Sequence, residues 1–164
     1  MWHLIFIAAH AAGGAIALLA GSVAIARGAL FRTYLAALVT MEIALIAAIA
    51  VEWGVVDSTA SLLFIAFAVL GAFMVWRADQ ARRIRPSGSV PAPPSARYVA
   101  HVGFTLVGLL DAFVVILVLN AGAPGWAVVV AGVLIAVAGH FVLRVLRHQL
   151  VERVGRPARA VAAG

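Results

Sequence analysis

An all-α integral membrane bundle of five transmembrane helices, N-terminus out and C-terminus in, is the fold this sequence predicts. Three observations lead there. Five apolar stretches, at residues 4–26, 30–51, 58–76, 98–119 and 126–146, are each long enough for a helix to cross a ~30 Å hydrocarbon core at ~1.5 Å per residue. Arginine gathers in every second gap between them. And 65% of the 164 residues are hydrophobic against 11% charged, more apolar surface than a soluble domain of this size can hide from water.

The first stretch has no positive charge ahead of it and is too long for the apolar region of a signal peptide, so it is expected to persist as helix 1. Arg27 and Arg32 separate it from the second stretch, which ends at Glu52 and Asp57 with no base between them and the third. After the third come Arg77, Arg82, Arg83, Arg85 and Arg97. The gap between the fourth and fifth, Asn-Ala-Gly-Ala-Pro-Gly, is uncharged, and Arg144, Arg147, Arg153, Arg156 and Arg159 follow the fifth. An odd number of spans with basic loops on one side satisfies the positive-inside rule throughout and sets the orientation. Trp2, Trp53, Trp76, Trp126, Tyr34 and Tyr98 fall near span ends and read as an aromatic belt.

Residues 1–152 are expected to form a single transmembrane domain. Its one long connection, a cytoplasmic loop at 85–97 rich in Pro, Ser and Ala, should be extended and mobile. Residues 153–164 read as a frayed basic cytoplasmic tail whose arginines meet anionic headgroups.

Composition removes several function classes. Net charge is +6 and all twelve basic residues are arginine, yet they lie at helix ends and in loops, so nucleic acid is not the expected partner. With no cysteine, there are no disulfides, thiolate metal ligands, iron–sulfur clusters or cysteine nucleophiles. No GxSxG, P-loop or HExxH motif occurs, and the sequence leans away from an enzyme.

Small residues recur at helical spacing and predict close helix contacts: Ala9, Gly13, Ala17 and Gly21 on helix 1, His101, Thr105, Gly108 and Ala112 on helix 4, and Gly132, Ala136 and Gly139 on helix 5. The same stripes would serve a homo-oligomer or a larger membrane complex. Helix 3 carries no ionisable group between Ser58 and Trp76, and Phe64, Phe67 and Phe73 suggest lipid contact.

Ionisable residues within spans are the functional candidates. His10, Glu42 and Asp111 lie ~10, ~15 and ~12 Å below the outer ends of helices 1, 2 and 4. Together they would make an intramembrane polar site for a proton or a cation, since a carboxylate beside a histidine can hold either in low dielectric. His10 shares the small-residue face of helix 1, and Asp111 lies beside the face of His101 and Gly108. Glu42 shares its face with Leu35, Leu38, Leu45 and Ile46, opposite Thr40, Ala44 and Ala47, which counts against its joining the site. Nearer the cytoplasmic ends, His101 and His140 on neighbouring antiparallel helices have the spacing to clamp a b-type haem.

Residues 10–41, HAAGGAIALLAGSVAIARGALFRTYLAALVTM, resemble the opening of a family of bacterial predicted multi-pass membrane proteins of unknown function. His10, Gly13 and Gly21 match that pattern, while Phe31-Arg32 stands where the family has His-Arg. The resemblance implies a multi-pass protein of the bacterial cytoplasmic membrane and no activity. Three functions follow from the residues: proton or cation handling at the polar site, a non-catalytic accessory or structural subunit, and a b-type haem subunit.

Overall fold

The computed structural model describes residues 2–54, 58–85 and 94–162. All regular structure among them is helical: α1 (Trp2–Arg27), α2 (Phe31–Glu52), α3 (Ser58–Arg83), α4 (Ala96–Asn120) and α5 (Gly125–Ala162). All five are long and apolar enough to cross a membrane. Large apolar side chains stand exposed on each, Leu4, Ile43, Leu62, Leu117 and Val129 among them, as a lipid-facing surface requires. Asp57 and the loop segment 86–93, on which the expectation of an extended loop rests, lie outside the described residues.

Two helices outrun their apolar stretches. α3 continues from residue 76 to Arg83 because Ala, Gln and Arg are strong helix formers. Its buried stripe also continues, through Gly71, Met74, Ala78 and Ala81 at helical spacing. α5 runs to Ala162 rather than fraying near Glu152, again through Ala- and Arg-rich sequence, although Gly155 and Pro157 lie within it.

The short turns are set by local chemistry. Gly28, at φ +68°, ends α1 with its N–H on the Ala24 carbonyl (3.0 Å), a left-handed conformation that glycine adopts without steric penalty. The Tyr98 N–H donates to the Ser95 hydroxyl (3.1 Å), which caps α4. At its other end Gly122 N–H reaches Leu119 O (3.0 Å) and Ala123 N–H reaches Val118 O (3.3 Å), the paired bonds of a Schellman cap. Pro124 then accepts from Ala127 and Val128 as α5 starts.

The chain forms two compact units, Met1–Arg82 and Arg83–Gly164. In the first, α1 and α2 form an antiparallel hairpin. α1 buries Gly13, Gly14, Ala17, Ala20, Gly21 and Ala24, and the closest approach is at Gly13, where an added Cβ would stand 3.1 Å from Ala37 O and from Met41 Cα. Small residues let the backbones meet where lipid supplies no hydrophobic drive between helices. α3 packs on a different side of α2, where Gly71 meets Glu42. Tyr34 is buried with its ring 5.5 Å from that of Phe31. Tyr98 is buried as well, so these two tyrosines pack inside protein rather than joining the belt, while the four tryptophans are all exposed.

In the second unit α4 and α5 form an antiparallel hairpin. Gly103 meets Leu143, Gly139 meets Val107, and Gly132 meets Val115 and Asp111. The α5-facing ridge of α4 therefore runs Gly103–Val107–Asp111–Val115, in steps of four. Gly108 lies beside this ridge, half-buried, and Ala112 is exposed. The small residues at this contact come mostly from α5, because only one of two facing helices has to be small at a given level.

Replacing Gly13 by leucine should destabilise the first unit by about 1–3 kcal/mol, the usual penalty of overpacking. Gly54→Ala, where an added Cβ meets nothing within 4 Å, should stay within about 0.5 kcal/mol. Denaturant titrations of both variants in detergent micelles make the comparison.

Candidate functional site

Glu42 is the most deeply buried acid among the described residues, at 6% exposure, and neither carboxyl oxygen has a hydrogen-bond partner. It lies within α2, ten residues or ~15 Å from the Glu52 end. The room for it comes from α3. A Cβ on Gly71 would collide with Glu42 Oε2 and stand 2.7 Å from Cδ. The carboxyl thus fills the space that a Cβ on Gly71 would take, and would have to move to admit one.

The leucine face that counted against Glu42 does not turn it toward lipid, because α2 is buried on two sides. Ala37 and Met41 face α1 at Gly13, and Glu42, one residue or ~100° further round, faces α3. Sequence reasoning that allows a helix one inward face leaves such a residue unplaced. It also missed Gly71, a lone glycine in an apolar helix.

His10 is half-buried on α1 and meets α2 through Nδ1, 3.0 Å from Met41 O. A carbonyl only accepts, so Nδ1 carries the hydrogen and donates, and a neutral ring keeps its lone pair on Nε2. The carbonyl belongs to the peptide bond that joins Met41 to Glu42. His10 and Glu42 are thereby brought to neighbouring positions on α2, although the ring's bond is to backbone.

Two turns nearer the end of the hairpin, His3 Nδ1 lies 2.7 Å from Glu52 Oε1, with both side chains about a third exposed (33% and 32%). This pair ties the start of α1 to the end of α2. It was not among the candidates, since each residue lies at a span end, where charge is ordinary.

Asp111 belongs to the second unit. Its Oδ1 is buried without a hydrogen-bond partner and would lie 3.5 Å from a Cβ on Gly132. His10 and Glu42 belong to the first unit. His101 is half-buried, and its carbonyl accepts from the Thr105 hydroxyl (3.2 Å). His140 is exposed, one residue round α5 from Gly139, with its ring edge-on to Phe141 at 6.0 Å. Among the described residues no three His, Asp or Glu side chains gather as a metal-binding group.

No protein-family model matches this chain, and no curated protein or solved structure is significantly similar to it.

If Gly71 exists to admit the Glu42 carboxyl, the two positions are coupled. Gly71→Ala should destabilise the protein by about 1–3 kcal/mol. The effect should shrink clearly in a Glu42→Ala background, with a coupling of about 0.5–3 kcal/mol in the double-mutant cycle. Equal effects in both backgrounds would mean that Gly71 serves helix packing only.

Proposed function

We propose that this chain is a multi-pass protein of a bacterial cytoplasmic membrane, N-terminus out, which takes up and releases a proton at Glu42. The observation that carries the reading is the Glu42 carboxyl, buried between α2 and Gly71 with both oxygens unpaired. An acid at the centre of a membrane helix costs about 2.5–3.5 kcal/mol on insertion scales, and acids in such places are usually functional. Among the described residues no arginine, hydroxyl or backbone N–H bonds to the carboxyl, so a proton is the group left to neutralise it. A proton fits this environment better than a metal ion. Hard cations such as Ca²⁺ and Mg²⁺ take about six or more oxygen ligands, and the group facing Glu42 is a glycine with no side chain to offer.

Orientation rests on charge. Arg27, Arg32, Arg77, Arg82 and Arg83 all lie at one end of the first three helices, the end that the positive-inside rule assigns to the cytoplasm. Glu42 then sits in the middle of the hydrocarbon layer, as proton-carrying acids of membrane proteins do.

The test is chemical labelling in proteoliposomes. Dicyclohexylcarbodiimide modifies protonated carboxyls in apolar surroundings. Peptide mass spectrometry should place the label on Glu42, labelling should fall as pH rises, and Glu42→Gln should abolish it. An unlabelled Glu42 across the accessible pH range, in protein whose helical circular dichroism is intact, would overturn the proposal.

A further inference from the structure

We infer that the basic end of the α4–α5 hairpin holds the headgroup of an anionic phospholipid, with Arg97, Arg144 and Arg147 on its phosphate and His140 one turn deeper on its ester oxygens. The site belongs to the second unit and is independent of Glu42.

The contact between the two helices places these residues. Gly103 meets Leu143 and Val107 meets Gly139, so the antiparallel register sets Arg97 within ~3 Å of the level of Arg147 and ~8 Å of the level of Arg144. Arg97 stands ~120° round α4 from Gly103, and Arg144, His140 and Arg147 stand ~100°, ~60° and ~40° round α5 from Leu143. Because the helices run in opposite directions, these rotations carry all four side chains to one flank of the hairpin. Val102 and Leu109 of α4 are buried and turn to the other flank, by the same arithmetic.

Charge on this flank calls for an anion. Arg97, Arg144, Arg147 and His140 are all exposed. Among the described residues no carboxylate pairs with any of the three arginines, whereas Arg82 of the first unit is bonded to Asp79 (2.6 Å). Three guanidinium groups thus converge from two helices with no counter-charge from the protein. Each presents a planar fork of N–H donors, which matches the oxygens of a phosphate.

The apolar surface beside them makes that anion a lipid. Val137 and Val133 lie seven and eleven residues before Arg144, which returns each to within ~20° of its direction, and both are exposed (48% and 56%). From Arg144 to Val133 is ~16 Å along the axis, about half of a ~30 Å hydrocarbon core and so the depth of one leaflet. Arg144 itself stands ~28 Å from the start of α5 at Gly125, where such a core ends. A phosphate bound here has an apolar track beneath it that fits an acyl chain and offers nothing to a free phosphate ion. His140 lies ~6 Å inside Arg144 on the same face, and an exposed ring at that depth meets hydrocarbon unless its N–H donates to the ester oxygens of the same lipid. Arginines that only orient the chain need neither that histidine nor a partner on the second helix.

The experiment is native mass spectrometry of the full-length protein released from detergent micelles, with phosphatidylglycerol, phosphatidylcholine of the same acyl chains, or inorganic phosphate added. One phosphatidylglycerol should be retained, roughly tenfold more tightly than phosphatidylcholine. Arg97→Gln, Arg144→Gln and Arg147→Gln should each weaken its retention by roughly fivefold, the scale of one basic side chain near an anionic surface. His140→Leu should weaken it by a similar factor, about that of one hydrogen bond. All four positions are exposed, so folding is not at stake, and helical circular dichroism checks it. Arg82→Gln, at the arginine already paired with Asp79, should leave retention unchanged. Failure to retain phosphatidylglycerol, equal retention of the two lipids, or an equal loss from Arg82→Gln means diffuse attraction and overturns the site. Retention of inorganic phosphate in place of lipid overturns the lipid as its occupant.

Discussion

A carboxyl group in the middle of a membrane-length helix constrains everything around it. Lipid offers no hydrogen bond and no counter-charge, so the group must be covered by protein, and covering it needs space at a helix–helix contact that is otherwise closed. Here the space comes from glycine on the neighbouring helix. Gly71 of α3 opens the notch for Glu42 of α2, and Gly132 of α5 lies against Asp111 of α4. The contact in the second unit is looser, since a Cβ on Gly132 would stand 3.5 Å from Asp111 Oδ1, an ordinary contact. In the first unit α2 meets α1 at Gly13 and α3 at Glu42 and Gly71.

Much of this was legible in the sequence, for a simple reason. Helices that must satisfy every backbone group internally and present an apolar surface leave a strong signal in length and composition, and all five stretches became helices. Their ends were less legible, because hydropathy marks where apolar residues stop and not where the helix stops. Residues 77–83 are polar and still helical, and they carry Ala78 and Ala81 into the buried stripe of α3. The tyrosines failed for a related reason. A position near the end of a span is also a position near a tight turn, where the Tyr34 ring packs tilted against Phe31 and Tyr98 lies one turn past the Ser95 cap.

The candidate site was half legible. His10 could be placed because a stripe of small residues marks the protein-facing side of α1 without ambiguity. Glu42 could not, because α2 buries two faces and a stripe identifies only one. Hairpin arithmetic contains the missing information. The connection between α2 and α3 is centred near residue 55, and antiparallel reflection through that point sends residue 42 to 68, within one turn of Gly71. A buried acid and a lone glycine that reflect onto each other are a stronger signal than either alone. The same reflection through the α4–α5 turn, centred between 122 and 123, sends Asp111 to 134, half a turn from Gly132.

The charge pattern along the helices also bears on chemistry between them. Arginines gather at one end of α1, α2 and α3 and raise the local potential there, which disfavours protons at that end. The other end of the α1–α2 hairpin carries His3 and Glu52, and the only ionisable side chains described between it and the middle of the hairpin are His10 and Glu42. A helix pair whose positive charge lies wholly at one end is therefore asymmetric toward protons even though its backbone is nearly symmetric end to end.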